Sequence, residues 1–475
     1  LMDVNGFTLT LNGSSAYIYF TGATLNNSNG STDIVLNINT GGGGFLTYFK
    51  NNTVNDNITF NLTGSNQFNE AEVASSANTY NGNTSFNING SLPFYLSHIS
   101  ASNFIGNLIV NRTVAGTTQF FNGGAAITGN FSYTNNTSGA STLGNIGVAT
   151  TIGGTVNIAA NYTTNSTFAI YRLINQTTGG TINIQNSTGF NIQKDTLKVT
   201  SMSVTGYKSG AYGYLLNNSI SGNVSIADDV SYSGGFFTQV RNNIITGTSS
   251  FTNNGTNVLY EADVASSANT YNGNTSFTAT NSGGLQVSNS SASNFIGNLT
   301  VNRTATGPTQ FFNAGAVITG NFSYTNNTSG ASNFGNTGFA TAIGGTVNIA
   351  AIYTTNNFFT IYRLINQTAG GTINIQNTTG FDIRNDTLKV ISLSVTGYKT
   401  GQYGYFLNNA ITGNVTIADD ASYSGGFLTQ VRNNIITGTS SFTNNGTNVL
   451  YEADAALSAN TYNGNTSFTA TNSGG

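Results

Sequence analysis

Cysteine and tryptophan are missing from this chain, and its 475 residues include one histidine, two prolines and two methionines. Without cysteine there is neither a disulfide framework nor a thiolate metal site. A single histidine removes the usual group for acid–base, triad or zinc chemistry. Charge is scarce too: 13 Lys and Arg stand against 16 Asp and Glu, 6% of the chain, with a formal net charge of −3, where an ordinary domain is about 25% charged. There is no basic footprint for nucleic acid and no polybasic patch for anionic lipid. No apolar run approaches the roughly 20 residues that a membrane helix requires, and no signal-peptide core opens the chain. The sequence is therefore expected to be an internal window of something longer.

What is present is 58 Gly, 31 Phe and 23 Tyr in a chain that is 38% hydrophobic. That is too apolar for a disordered tract. The polar complement is mostly Asn, Gly, Ser and Thr, residues that disfavour helix interiors and favour turns. The expected class is all-β.

Laid over itself, the chain repeats. EAEVASSANTYNGNTSF begins at Glu70, EADVASSANTYNGNTSF at Glu261 and EADAALSANTYNGNTSF at Glu452, and residues 70–260 agree with 261–451 at 149 of 191 positions without a gap. Residues 1–69 follow as the end of a divergent unit, 70–260 and 261–451 as two units, and 452–475 as the start of another. Inside each unit runs a shorter beat, apolar-x-Gly-x-apolar-x-apolar, with glycines at 273, 297, 320, 345, 371, 413, 438 and 464. The step from Gly371 to Gly413 is two beats with one glycine absent. There Leu388-Lys389-Val390 and Ile391-Ser392-Leu393-Ser394-Val395 alternate out of phase, which predicts a bulge.

Alternation signals strand, and alternation recurring about every 24 residues signals equivalent strands stacked in register. The expected fold is a parallel β-helix, a β-solenoid with about 24 residues per turn, eight turns per 191-residue unit and one continuous winding. The predicted inward columns are Phe295, Ile318, Ile343, Ile411 and Ile436; Leu299, Phe322, Val347, Ile373 and Val415; and Val301, Tyr324, Ile349, Ile375, Ile417 and Phe442. The beat glycine is expected to face inward or to mark a corner, and Thr319, Asn321 and Ser323 to face out. Stacked Asn and Thr can bond along the array, while like charges stacked about 4.8 Å apart would repel, which explains the scarcity of charge.

The ionisable groups are few enough to take in turn. Asp228-Asp229 and Asp419-Asp420 could offer hard oxygens to Ca²⁺, though no loop motif supplies the other ligands, and a solvated turn is the simpler reading. Glu261-Ala-Asp263, like Glu70-Ala-Glu72 and Glu452-Ala-Asp454, is expected to place two carboxylates on one strand face, the minimum for a glycosidase. Its recurrence in every unit argues instead for an exposed polar rung. Arg112 and Arg303, Arg172 and Arg363, and Arg241 and Arg432 could pair with tyrosine, read a glycan carboxylate or solubilise the surface. His98 aligns with Asn289 and receives no role, and Asn-x-Ser/Thr sequons such as Asn57-Ile-Thr59 permit glycosylation without showing it. The strongest contact candidates are Tyr207, Lys208, Tyr212 and Tyr214, repeated as Tyr398, Lys399, Tyr403 and Tyr405, where the beat is disturbed. Departures from an ideal repeat often map to a binding face, and Tyr with Gly makes a rigid contact surface; a core-capping role is the alternative. No cofactor is expected.

The segments SANTYNGNTSF, NFIGNLTV and ITGNFSY, the first of them ending at Phe86, Phe277 and Phe468, resemble the repeats of giant β-strand-repeat surface proteins of Bacteroidota, including gliding-motility-type adhesins. The resemblance implies an extracellular, cell-surface protein exported through a dedicated secretion system by a C-terminal signal. The expected function is then non-enzymatic: a structural and adhesive fibre, a stiff rod presenting the same weak site many times to a glycan or a solid surface and able to self-associate. Two alternatives are a polysaccharide-processing β-helix enzyme using Glu261 and Asp263, and an ice- or mineral-binding solenoid.

Overall fold

The computed structural model describes residues 1–475 apart from 14–16, 31–32, 42–43, 165, 355–356, 400 and 474. It divides into two units, Leu1–Asp229 and Val230–Gly475. Each is a parallel β-solenoid of about 24 residues per turn, about 19 turns in all, with no helix among the described residues. A representative turn of the first unit runs from Thr79–Tyr80 on the first sheet to Thr84–Ile88 on the second and Phe94–Leu96 on the third. It then returns to the first sheet at Ser102–Phe104. In the second unit Thr270–Tyr271, Thr275–Ala279 and Leu285–Val287 repeat that path.

Successive rungs stack apolar residues in inward columns, with a buried Thr or Ser at some steps, as where Val415 meets Ser440. Phe295 pairs with Ile318 and Ile318 with Ile343 on the first sheet, and Leu299 pairs with Phe322 and Phe322 with Val347 on the second. All are buried. Aromatic rings stack at rung spacing, as for Phe60 and Phe86 (4.5 Å between centroids), Tyr80 and Phe104 (4.7 Å), and Tyr271 and Phe295 (5.0 Å). Each fully buried Phe contributes about 1.5–3 kcal/mol of transfer free energy. Thr319, Asn321 and Ser323 face outward as the pattern predicts, and outward asparagines bond along the array: Asn87 donates to Asn61 at 3.0 Å and Asn61 to Asn37 at 2.8 Å.

The beat glycine sits at the corner between the first and second sheets. A Cβ on Gly106 would lie 2.7 Å from the Gly82 carbonyl carbon, and one on Gly297 would lie 2.6 Å from that of Gly273, so in these three-residue corners only glycine lets one stack on the next. The asparagine after it completes the device. The amide oxygen of Asn83 accepts the backbone N–H of Asn107 at 2.9 Å, Asn107 accepts that of Asn130 at 2.8 Å, and Asn298 accepts that of Asn321 at 2.8 Å. This answers the backbone hydrogen-bonding requirement where the ladder is interrupted, and it gives the Gly-Asn-x-Ser/Thr sequons a structural origin.

Two register expectations are corrected. Ile373 stacks on Ile349, not Val347, and Ile375 on Ala351. The corner Gln367–Gly371, between strands Leu364–Asn366 and Thr372–Gln376, is two residues longer than the corner 344–346, so Gly371 belongs beside Val347 instead of at a corner apex. The bulge falls between Thr396 and Tyr398, not within 388–395. Lys389, Val390 and Ile391 simply form a corner without glycine between Thr387–Leu388 and Ser392–Tyr398.

Candidate functional site

The outward surface of the third sheet is unlike the other two. In the second unit its central row runs Gln310, Asn333, Thr360, Asp382, Tyr405 and Gln430, each paired in register with the next. In the first unit Gln119, Thr142, Ala169, Asn191 and Tyr214 form the equivalent row. The first sheet's outward row in the second unit, by contrast, includes Asn294, Val317, Ala342 and Ile365, an irregular mixture with no threonine array.

On this face the disturbed segments deliver tyrosine pairs. Tyr212 and Tyr214 lie 5.6 Å apart between ring centroids with planes 17° from parallel, and Tyr403 and Tyr405 repeat the arrangement at 5.6 Å and 15°. Tyr212 is 38% and Tyr403 40% exposed. Beside the first pair, Asn191 donates its amide N–H to the Tyr171 hydroxyl at 2.9 Å, and the Gln193 amide donates to the Asn191 oxygen. Beside the second, the Tyr362 hydroxyl donates to Asp382 Oδ2 at 2.7 Å, the Arg384 guanidinium makes a bidentate pair with Asp382, and Arg384 lies over the Tyr405 ring at 4.9 Å. Burial and then the Asp382 hydrogen bond push the Tyr362 phenol well above its ordinary value. A groove of about 280 Å³ lined by Thr142, Tyr171, Asn191, Tyr212 and Tyr214 opens along the first unit's face, and one of about 380 Å³ lined by Gln310, Asn333, Thr360 and Tyr362 along the second's.

Of the eight predicted contact residues, Tyr212 lies beside Tyr214 in the first unit and Tyr403 beside Tyr405 in the second. Lys208 and Lys399 are exposed. Tyr207 and Tyr398 are core residues, each 1% exposed, against Phe190 and Phe381 respectively. The bulge is the reason: in each strand one extra residue, Gly206 or Gly397 at φ +65° and +66°, reverses the in–out parity and turns the following tyrosine inward.

The carboxylate pair expected at Glu261 and Asp263 does not form. Ala262 adopts φ +49°, which breaks the strand and sends the two side chains apart. Glu261 is fully buried, where it accepts from the Asn269 amide at 2.6 Å, from the Ser288 backbone N–H at 2.7 Å and from the Ser293 hydroxyl. Desolvation raises its pKa to about 7 against these donors. Asp263 instead pairs with Arg241 at 2.6 Å. Glu70 occupies the same interior cage and Ala71 the same left-handed conformation.

The aspartate doublets do not converge either. Asp419 is buried with its carboxylate on the backbone N–H groups of Asn445 and Gly446, while Asp420 accepts from Ser422 N–H at 2.9 Å in a local turn. Asp228 is buried, and the Asp229 N–H donates to the Tyr207 carbonyl at 2.9 Å. Among the described residues no three His, Cys, Asp or Glu side chains gather as a metal site. His98 stacks on Tyr95 at 4.7 Å.

Sequence reasoning missed two interior features. Arg112 and Arg303 are 1% exposed and serve as carbonyl collectors: Arg112 reaches Val114 and Leu92 at 2.9 and 2.7 Å, Arg303 reaches Gly283 and Pro308 at 2.7 and 3.1 Å. Asp195 and Asp386 are also buried, accept from the Leu173 and Leu364 N–H groups at 2.6 and 2.7 Å, and leave Oδ2 unpartnered. Desolvation raises both pKa values well above the ordinary range. No sequence signal marks either feature except its exact return 191 residues later.

No protein-family model, no curated protein and no solved structure matches the chain.

Proposed function

We infer that this chain is a segment of a structural and adhesive fibre displayed outside the cell, in which 191-residue units of eight turns wind one after another. The observation that carries this reading is the recurrence, 191 residues apart, of a tyrosine pair on the outward side of the third-sheet strand: Tyr212 with Tyr214, then Tyr403 with Tyr405. Repeated weak sites on a repeated scaffold raise avidity without a deep pocket. The first-sheet strands Thr270–Tyr271 and Thr461–Tyr462 bracket one such unit. The low charge and outward amide rows suit open-ended stacking, since neutral groups can follow one another rung upon rung.

The test is electron microscopy of the native cell surface with strains carrying added or deleted units. A filament that lengthens by a fixed increment per unit supports the reading. Absence of the protein from the surface, or a length indifferent to unit number, overturns it.

A further inference from the structure

Where a tyrosine pair stands beside a row of planar hydrogen-bonding groups, the chemistry of its ligand is constrained. We propose that Tyr212 and Tyr214 in the first unit, and Tyr403 and Tyr405 in the second, are the stacking plates of two equivalent subsites for a neutral polysaccharide. The proposal rests on the adhesive reading above and names the ligand class of its face. Paired rings at 17° and 15°, of which Tyr212 and Tyr403 are the more exposed while Tyr405 has one face taken by Arg384, offer apolar ring surface to the C–H face of a pyranose. Next to each plate lie groups suited to sugar hydroxyls: Asn191 and Gln193 in one unit, Asp382 and Arg384 in the other, with Tyr171 or Tyr362 one rung on. The groove of about 280 Å³ is lined by Tyr212 and Tyr214 themselves, and the one of about 380 Å³ lies on the rungs before the second plate, from Gln310 to Tyr362. A linear glycan matches such a row, because its own repeat is comparable to the strand spacing of about 4.8 Å.

Charge decides against an anionic polymer. The Asn191–Gln193 copy is neutral, and in the other copy Asp382 cancels Arg384 through a bidentate pair. In the second copy the arginines beside this row, Arg384 and Arg432, are each paired with a carboxylate, Asp382 and Asp454. A protein partner is disfavoured as well, since stable protein interfaces have an apolar centre within some 1,200–2,000 Å² of buried surface, and this face alternates tyrosine with Gln, Asn and Thr.

The experiment is affinity electrophoresis of the whole chain in gels containing soluble β-glucan, galactomannan, alginate or polygalacturonate, with gelatin as a protein probe. Retardation by a neutral glycan is expected. Replacing one plate (Tyr212→Ala with Tyr214→Ala, or Tyr403→Ala with Tyr405→Ala) should weaken it about tenfold, and replacing both should abolish it. Circular dichroism checks that the variants remain folded, and Lys50→Ala, remote from both plates, serves as the surface control. Retardation by the polyanions or gelatin alone, or retardation that survives loss of both plates, overturns the proposal. Surface filaments without glycan retardation remove these subsites and leave the fibre; retardation without filaments removes the fibre and leaves the subsites.

Discussion

Two copies of one surface, 191 residues apart, solve the same structural problem with different chemistry. In the first, Tyr171, Asn191 and Gln193 form a neutral amide–phenol chain; in the second, Tyr362, Asp382 and Arg384 form a phenol–carboxylate–guanidinium chain. The tyrosine pairs beside them differ by 2° in interplanar angle. Behind them most interior features return: Glu70 and Glu261 sit in equivalent cages, Arg112 and Arg303 both gather backbone carbonyls, and Phe131 and Phe322 hold equivalent core positions, while Phe94, Leu143 and Leu215 give way to Leu285, Phe334 and Phe406. An inward residue touches the rungs above and below and is fixed by both. An outward residue also meets the adjacent rungs, as Asn191 meets Tyr171, but one side of it is open to solvent, and it can change if its partner changes with it.

The largest effect should come from the recurring interior. Phe131→Ala and Phe322→Ala each remove a ring that is 0% exposed, and each should cost about 3–5 kcal/mol. Denaturant unfolding should give the same cost for both to within about 1 kcal/mol. A large inequality would break the claim that the two core positions are equivalent.

Next in size is the pH response of the buried carboxylate. Burial raises Glu261 to about 7 from an ordinary value near 4.5. A group whose folded pKa is raised favours the fold most when protonated, so its contribution is complete below about 4.5 and lost as pH climbs through 7. The amount is on the order of 3 kcal/mol at most. Melting temperature should therefore fall between pH 5 and 8, and Glu261→Gln should flatten that part of the curve while lowering stability at pH 5, because an amide cannot accept from all the donors Glu261 satisfies. A curve unchanged by the substitution would remove Glu261 as its source.

The fold was legible from the glycine beat because the corners that carry it leave no room for any other side chain: the Gly82–Gly106 and Gly273–Gly297 contacts are what the periodicity records. The register slip at Ile373 was not, since a corner longer by two residues preserves in–out parity and so leaves the hydrophobic pattern intact. Two of the three tyrosines in each cluster, Tyr212 with Tyr214 and Tyr403 with Tyr405, face outward. Tyr207 and Tyr398 were misplaced because a single bulge residue reverses parity without altering composition. The cage around Glu261 was hidden by Ala262, a residue type that gives no warning of a left-handed conformation.

The outward chemistry supplies the smaller effects, and they sharpen the comparison most. Asp382→Asn alone leaves the Arg384 guanidinium without its carboxylate, at a cost of about 1 kcal/mol, because Arg384 is partly solvated and its pair is screened. The same change should lower the Tyr362 pKa, since that phenol donates to Asp382 and is held up partly by its charge. Alkaline spectrophotometric titration reads this directly, and an unmoved Tyr362 would mean that Asp382 does not set its environment.

Adding Arg384→Gln to Asp382→Asn rebuilds the first unit's chemistry in the second. If each pair is a self-contained solution, the double variant should return to within about 0.5 kcal/mol of the parent. The coupling between the two substitutions, measured as a double-mutant cycle, should then nearly equal in magnitude the summed costs of the two single changes, Asp382→Asn and Arg384→Gln. A double variant as unstable as the single one would show that the scaffold beneath Asp382 and Arg384 has adapted to charge, and that the two surfaces are no longer interchangeable.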